Sequence, residues 1–339
     1  MSDGPSGRLS LEEVARRANV STATVSRVLN NVGSVKNSTR MRVLRAVKEL
    51  NYHPNMHARM LARGSTRTFG MIVSNLENPF FLEIFRTAES LVHGEGFEMV
   101  IAHTGYQAEQ LVKSLRLMIA RRVAGLAMIV SETDQSLIDE LAGHRIPVVL
   151  YDVATPVENV SRVRVNYASG IRKAVQYLYH VGHRRMAFVG HHTALPPLSV
   201  REKAFRETVE DFVPEVTWMS RSSADGLDGG RFAAREILAS GFHPTAIVCV
   251  NDLMAFGVVR ELREHGLAVP GDVSVTGFDN IKLSEYCYPS LTTLHIPRDR
   301  IGNIVADALL SGVNREAPVK DVLIEPEFVV RDSTGPAKT

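Results

Sequence analysis

The chain has 339 residues, 45% of them hydrophobic and 22% charged, enough to bury more than one core and ordinary for a globular protein. The first residues, MSDGPSGR, hold no apolar run, and no run anywhere approaches the ~18 residues of a membrane span, which excludes a secretory signal and a transmembrane anchor. Net charge is only +2, but residues 1–67 carry 12 Lys+Arg against 4 Asp+Glu and the other 272 residues carry 27 against 33. A basic head on a mildly acidic body points to a polyanionic partner for the head.

In chain order, the head reads as three helices. Ser10 caps the first and Glu13 closes a capping box, with Leu11, Val14, Ala15 and Ala18 at helical spacing inward. Asn19-Val20 makes a turn, and Ser21 caps a second helix whose inner face is Val25, Val28 and Leu29. Its outer face is small and polar: Thr22, Ala23, Ser26, Arg27 and Asn30. A polar loop leads to a third helix near Thr39–Leu50, with Val43, Val47 and Leu50 inward. After NMHARMLARGSTRT the pattern changes. From Phe69 onward, β-like runs such as FGMIVS, AGLAMIV, RMAFVG and DVSVTGF alternate with helical patterns, the rhythm of parallel, doubly wound sheets. Roughly 270 residues of this exceed one typical domain, so two α/β lobes with a cleft between them are expected.

Two helices joined by a tight turn, the second displaying small polar residues and an arginine, fit a helix-turn-helix. Such a helix enters the DNA major groove because its leading side chains are short. Ser and Thr can bond bases or phosphates, and Arg27 can donate two hydrogen bonds to guanine.

The residues VARRANVSTATVSRVLNN, STRMRVLRAVKELNYHPN and ARMLARG resemble the head and hinge of the lactose/galactose repressor (LacI/GalR) family. The likeness continues through NPFFLEI, GHRRMAFVG, VNDLMAFGVVRELREHGLAVPGDVSVTGFDN and PSLTTLHIP, and covers about residues 9 to 333. It implies residues 1–54 as a helix-turn-helix DNA-binding domain and 55–67 as a hinge helix and linker. Residues 68–333 would be an effector-binding and dimerisation body, with 334–339 as a tail. The body resembles periplasmic sugar-binding proteins, with lobe one at about 68–165 and 296–322 and lobe two at about 166–295 and 323–333.

The resemblance also implies roles. Thr22, Ala23 and Arg27 would read bases. Ser10, Thr24, Ser26, Asn30, Thr39, Tyr52 and Asn55 would hold phosphates, which fixes register without reading sequence. Several of these polar residues also suit plain helix capping. In the hinge, Leu61 would wedge into the central base step of the minor groove and Ala58 would let the helix sit close. By itself NMHARMLAR is too short to be a stable helix in water. Phe80, Phe81, Arg201, Asn251 and Asp279 would line the cleft and bind the effector, as would Asp225, which stands where many relatives stack an aromatic on the ligand. An apolar wall with paired donors and acceptors suits a small hydroxylated effector, and Arg201 could instead clamp a carboxylate or phosphate. A purine, a sugar acid or a phosphorylated metabolite is the alternative effector.

Asp252 reads as a helix N-cap, and His191 and His192 as exposed loop histidines. Cys249 and Cys287 lack metal-site spacing and read as reduced, buried thiols of a cytosolic protein, so no metal or cofactor is expected. The sequence holds no dinucleotide fingerprint, P-loop, nucleophile elbow or zincin motif, which disfavours an α/β metabolite enzyme. Tetrameric members of the family carry a leucine-heptad tail that GPAKT does not match, so the resemblance implies a homodimer on a near-palindromic DNA operator, and no membrane partner is expected.

Overall fold

The computed structural model describes residues 10–29, 33, 35–52, 66–132, 137–138, 141, 143, 146–153, 160–192, 196–314 and 320–338. The chain forms two compact units, Met1–Thr66 and Arg67–Thr339.

The first unit is built on α1 (Leu11–Ala18), α2 (Thr22–Leu29) and α3 (Asn37–Glu49). The capping box at Ser10 and Glu13 is formed, and α1 stops at Asn19, which adopts the left-handed conformation with φ 51°. Ser21 caps α2, its hydroxyl accepting from the Thr24 amide at 3.2 Å. Val14, Ala18, Val25, Val28, Val43, Ala46 and Tyr52 form one small core. This core fills the inner face of each helix and leaves the opposite face of α2 to solvent.

The second unit contains two parallel sheets. The larger joins β1 (Thr68–Val73), β2 (Glu98–His103), β3 (Gly125–Ile129), β4 (Val148–Tyr151), β5 (Val160–Val165) and β11 (Asp321–Ile324) in the order β11-β5-β4-β3-β1-β2. The smaller joins β6 (Arg185–His191), β7 (Thr217–Ser223), β8 (Ala246–Cys249) and β9 (Ser274–Thr276) in the order β7-β6-β8-β9. The apolar run FGMIV of β1 is explained by burial: five of its six residues are buried because a doubly wound strand is covered on both faces. On the larger sheet, α4 (Pro79–Gly94) packs against α11 (Arg298–Asn314), and α5 (Ala108–Ala120) packs on β1 and β2. On the smaller, α6 (Tyr167–His180) packs on α7 (Pro196–Glu210), and α8 (Leu227–Ala239) packs on α9 (Asp252–Glu264). The short α10 (Leu283–Tyr286) follows β9, and β10 (Thr293–His295) pairs antiparallel with β12 (Glu327–Val329) in a ribbon of its own. The chain passes between the sheets three times: from β5 into α6, from β10 into α11, and from β11 into β12.

The α8–α9 contact is closer than side chains permit. A Cβ on Gly257 would lie 2.0 Å from the Leu227 carbonyl oxygen, and one on Gly230 would lie 2.1 Å from the Met254 carbonyl oxygen. The two backbones therefore meet directly, and the glycines are required by approach rather than by backbone conformation. Gly257→Ala should lower stability by about 3 kcal/mol, an overpacking cost, read from the urea midpoint. A loss below about 0.5 kcal/mol, the scale of a neutral surface change, would mean the helices can part freely.

Candidate functional site: a recognition helix and an interlobe cleft

On α2, Thr22, Ala23 and Arg27 are exposed, and Thr24 and Ser26 are half-buried on its flanks. Ser10 is exposed and engaged in its cap, while Thr39 lies half-buried in the first turn of α3. Tyr52 has a packing role that the sequence did not suggest: its ring belongs to the head core and is 9% exposed. Asn30, Asn55, Ala58 and Leu61 lie outside the described residues. The outward side chains of α2 are thus short ones around a single long guanidinium, a surface that a groove of base edges can accept.

In the second unit, the carboxyl ends of the strands of both sheets supply the residues of one cleft, as open α/β sheets do. From the larger sheet come Asn78 and the α4 residues Phe80 and Phe81 after β1, Tyr106 after β2, Val130 and Ser131 after β3, and Tyr151 at the end of β4. Asn78 caps α4 through the Phe80 amide at 3.0 Å, and Pro79 begins the helix, so the NPFF sequence fixes where both rings emerge. The rings of Phe80 and Phe81 meet edge to face at 5.3 Å, and Phe80 faces Tyr151 at 6.3 Å. Glu132, buried behind Ser131, accepts from the Ser74 hydroxyl at 2.8 Å and from Thr104, tying the ends of β1, β2 and β3 together.

The facing wall carries charge. Arg201, on α7, is 7% exposed. Its guanidinium carbon lies 4.1 Å from the centroid of the Tyr167 ring and 4.5 Å from that of Phe278. One terminal nitrogen donates to the Val250 carbonyl at 2.8 Å, and its Nε is buried with no hydrogen-bond partner. Asp279 has φ 110°, a left-handed backbone that aspartate rarely adopts, and its carboxylate accepts from Asn78 Nδ2 at 3.3 Å. Arg298 holds this turn from behind: it donates to the Asp279 carbonyl and, at 2.7 Å, to Glu83 on α4. Asn251, 4% exposed, donates to Asp225 at 2.8 Å.

Burial dominates the electrostatics. It raises the carboxyl pKa of Asp279 to about 7, opposed by the nearby Arg201. It raises Asp152, which is hydrogen-bonded by the Tyr167 hydroxyl and the Val165 amide, to about 7 as well. Burial works against the charge of Arg201, but the fields of Tyr167 and Asp279 outweigh it and its pKa is raised.

Three sequence expectations are corrected. The N-cap of α9 is Asn251, whose side chain accepts from the Met254 amide at 2.8 Å; Asp252 is not the cap. The Asp252 carboxylate is wholly buried instead and accepts from the Ile281 amide, the Ser284 hydroxyl and the Thr293 hydroxyl. It thereby holds the turn that presents Asp279, and Gly277 makes room for it, since a Cβ there would lie 2.2 Å from its Oδ1. His191 is not an exposed loop residue: it ends β6 half-buried, its Nδ1 has no hydrogen-bond partner, and its ring lies 4.7 Å from that of Tyr106. Cys249 is buried as expected, whereas Cys287 is only half-buried. Sequence reasoning missed Asn78, Tyr106, Tyr151, Asp152 and Tyr167. Their signal was positional, since each stands at the carboxyl end of a strand or just after it.

A helix-turn-helix head with a short-sided recognition helix, followed by two parallel sheets with a charged cleft at their strand ends, defines a ligand-responsive DNA-binding regulator. Residues 10–55 match the model of the bacterial regulatory proteins of the lacI family, and residues 175–334 match that of the periplasmic binding protein-like domain. The HTH-type transcriptional repressor PurR of Vibrio cholerae serotype O1 (strain M66-2) is 34% identical over 327 residues, covering 95% of this chain and 97% of the relative. Among solved structures, the lac repressor dimer bound to operator and the anti-inducer ONPF superimposes with a TM-score of 0.82 at 27% identity, covering 97% of this chain and 100% of that one. The transcriptional regulator CelR in complex with cellobiose gives a TM-score of 0.68 at 29% identity, covering 96% and 100%. The chain belongs to the lacI family of bacterial regulatory proteins: it is a DNA-binding transcriptional repressor with an effector-binding domain, not an enzyme. Among the described residues no helix is long and apolar enough to cross a membrane.

The buried carboxylates give stability a pH signature. A carboxyl group whose folded pKa is raised contributes stability that is fully present below its unfolded value near 4 and is lost as pH rises through the folded value. With Asp279 and Asp152 at about 7 and Asp252 at about 6, this part of the stability should decline between about pH 4 and pH 7. Asp279→Asn should flatten the decline. Thermal melts across that range check it, and an unchanged slope would show that Asp279 titrates alike in both states.

Proposed function

We propose that this repressor acts in the bacterial cytoplasm as a homodimer on a near-palindromic operator, and that a small polyhydroxylated, carbohydrate-like effector in the cleft sets its DNA affinity. The observation that carries the effector reading is Arg201, buried and stacked on two rings with its Nε unpartnered, in one cleft with the carboxylate of Asp279 and the aromatic wall of Phe80 and Phe81. A guanidinium and a carboxylate each engage neighbouring hydroxyls, and the rings pack the apolar face of a sugar. The CelR relative holds cellobiose, which is of the same class. The aromatic side chains Tyr106, Tyr151 and Tyr167 around the cleft favour a planar purine as the second reading.

For the dimer, support comes from exposed apolar residues. Tyr288 is 84% exposed beside a groove of about 440 Å³ lined by Phe256, Val259, Cys287 and Leu291, and α4 presents Leu82 and Leu91. Apolar area of this kind on a monomer marks an interface.

For DNA, Thr22, Ala23 and Arg27 read bases, while Ser10, Thr24, Ser26, Asn30, Thr39, Tyr52 and Asn55 are assigned to phosphates, with Ala58 and Leu61 in the minor groove. Arg27→Ala should weaken binding to an operator obtained by selection by about 1–3 kcal/mol while non-specific, salt-dependent binding persists. Equal loss on random DNA would make Arg27 a phosphate contact. On the same operator, Leu61→Ala should reduce the bend read by energy transfer between end-labelled dyes, and an unchanged bend would make Leu61 ordinary packing.

The effector is sought by thermal shift against sugars, sugar acids, polyols and purines, since a true ligand stabilises by mass action. Arg201→Ala should bind the hit at least about tenfold more weakly, the scale of a lost charge-assisted hydrogen bond, with effector-free DNA affinity retained. Parent-like affinity in that variant would refute the cleft assignment.

A further inference from the structure

One cluster in the cleft is made wholly of groups from the chain itself. Asp225 stands in the turn between β7 and α8, on the wall formed by the smaller sheet. Its Oδ2 accepts from Asn75 Nδ2 at 2.9 Å and from the Tyr106 hydroxyl at 3.0 Å, both on the opposite wall. Its Oδ1 accepts from Asn251 Nδ2 at 2.8 Å, on its own wall. The Tyr106 ring also meets the His191 ring across the same gap.

The donors are fixed as donors. Asn75 Oδ1 accepts from the Glu77 amide at 2.8 Å, and Asn251 Oδ1 accepts from the Met254 amide at 2.8 Å. Backbone amides can only donate, so each side-chain NH2 must be the end that faces Asp225. Burial, followed by the charge of Asp225, raises the Tyr106 pKa, so the phenol keeps the proton it donates. Three oriented donors converging on two oxygens are what a carboxylate-binding subsite consists of. Here the carboxylate comes from the chain itself.

We propose that Asn75, Tyr106 and Asn251 form a carboxylate subsite spanning the cleft, and that Asp225 fills it as an intramolecular ligand that latches the two lobes together in the absence of effector. Asp225 is then a positioning residue rather than an effector contact. Opening the cleft breaks the Asn75 and Tyr106 bonds while the Asn251 bond survives, because only the first two cross between lobes. Every contact of the latch lies within the chain, so the latch is the same whichever effector binds.

The test is amide hydrogen exchange on the full-length, effector-free protein. It follows one peptide from each lobe, residues 104–110 and residues 223–230. Asp225→Ala, on the second lobe, should speed exchange in the first-lobe peptide by about fivefold or more, the scale of one lost net hydrogen bond. Tyr106→Phe, on the first lobe, should speed exchange in the second-lobe peptide. Reading each variant in the other lobe separates a latch from local loosening. Sodium formate, against sodium chloride at equal ionic strength, should restore protection in Asp225→Ala and leave the parent unchanged, because formate can take the vacated donors. Parent-like protection of the first-lobe peptide in Asp225→Ala overturns the latch, and so does formate acting no better than chloride. Asp225→Asn, which keeps the shape but turns an amide toward the donors, guards against a folding defect and should loosen the same peptide.

Discussion

The cleft is organised around one buried cation. A guanidinium taken out of water is costly unless its surroundings replace hydration. For Arg201 that replacement consists of two aromatic faces, one backbone carbonyl and the field of Asp279. Each partner must be held by something else. Tyr167 opens α6 and is engaged by Asp152, while Phe278 and Asp279 sit in a turn whose strained backbone is kept in place by Arg298 and by the buried carboxylate of Asp252. A chain of fixed polar groups thus runs from the end of β4 to the start of α11. It is why a site made from both sheets has a defined geometry.

Such a site suits control. An effector can shift an equilibrium only by the difference in its affinity for two arrangements of the protein. A cleft whose two walls come from different sheets, joined by three chain crossings, changes most when the walls move relative to each other. Groups anchored on one wall but bonded to the other are therefore the ones through which binding can be felt elsewhere. Asn78 with Asp279, and Asn75 and Tyr106 with Asp225, are of this kind. The recognition helix needs no such arrangement. Its inner face is locked by a small core and its outer face is free of large apolar groups, so it can remain unchanged while the affinity of the protein for DNA is altered.

Much of this was legible in the sequence because it follows from periodicity. The caps at Ser10 and Ser21, the inner faces of the head helices and the strand–helix alternation of the body follow from local chemistry and from burial on both faces of parallel strands. What could not be read depends on long-range approach. Asn251 and Asp252 are adjacent and both suited to capping; only the arrival of Ile281, Ser284 and Thr293 around the second decides between them. Tyr106 and Tyr151 are marked in the sequence only by standing at strand ends, and they become cleft residues only when two sheets bring those ends together. Tyr52 matched a DNA-contact position, yet its ring completes the head core.

The energies involved are matched to one another. A hydrogen bond across a wet cleft contributes a net of about 1 kcal/mol, because water competes for both partners. The few that join the two walls therefore add up to a few kcal/mol, far below the total stability of a domain but equal to the scale on which a two-state population moves from mostly one form to mostly the other. Walls joined by an apolar core would be too firmly closed for a small molecule to influence, and walls with no contacts would leave nothing to displace. Polar groups at the strand ends, among them Asn75 and Asn78, each satisfied locally by one bond and across the cleft by another, place the balance where an effector can tip it.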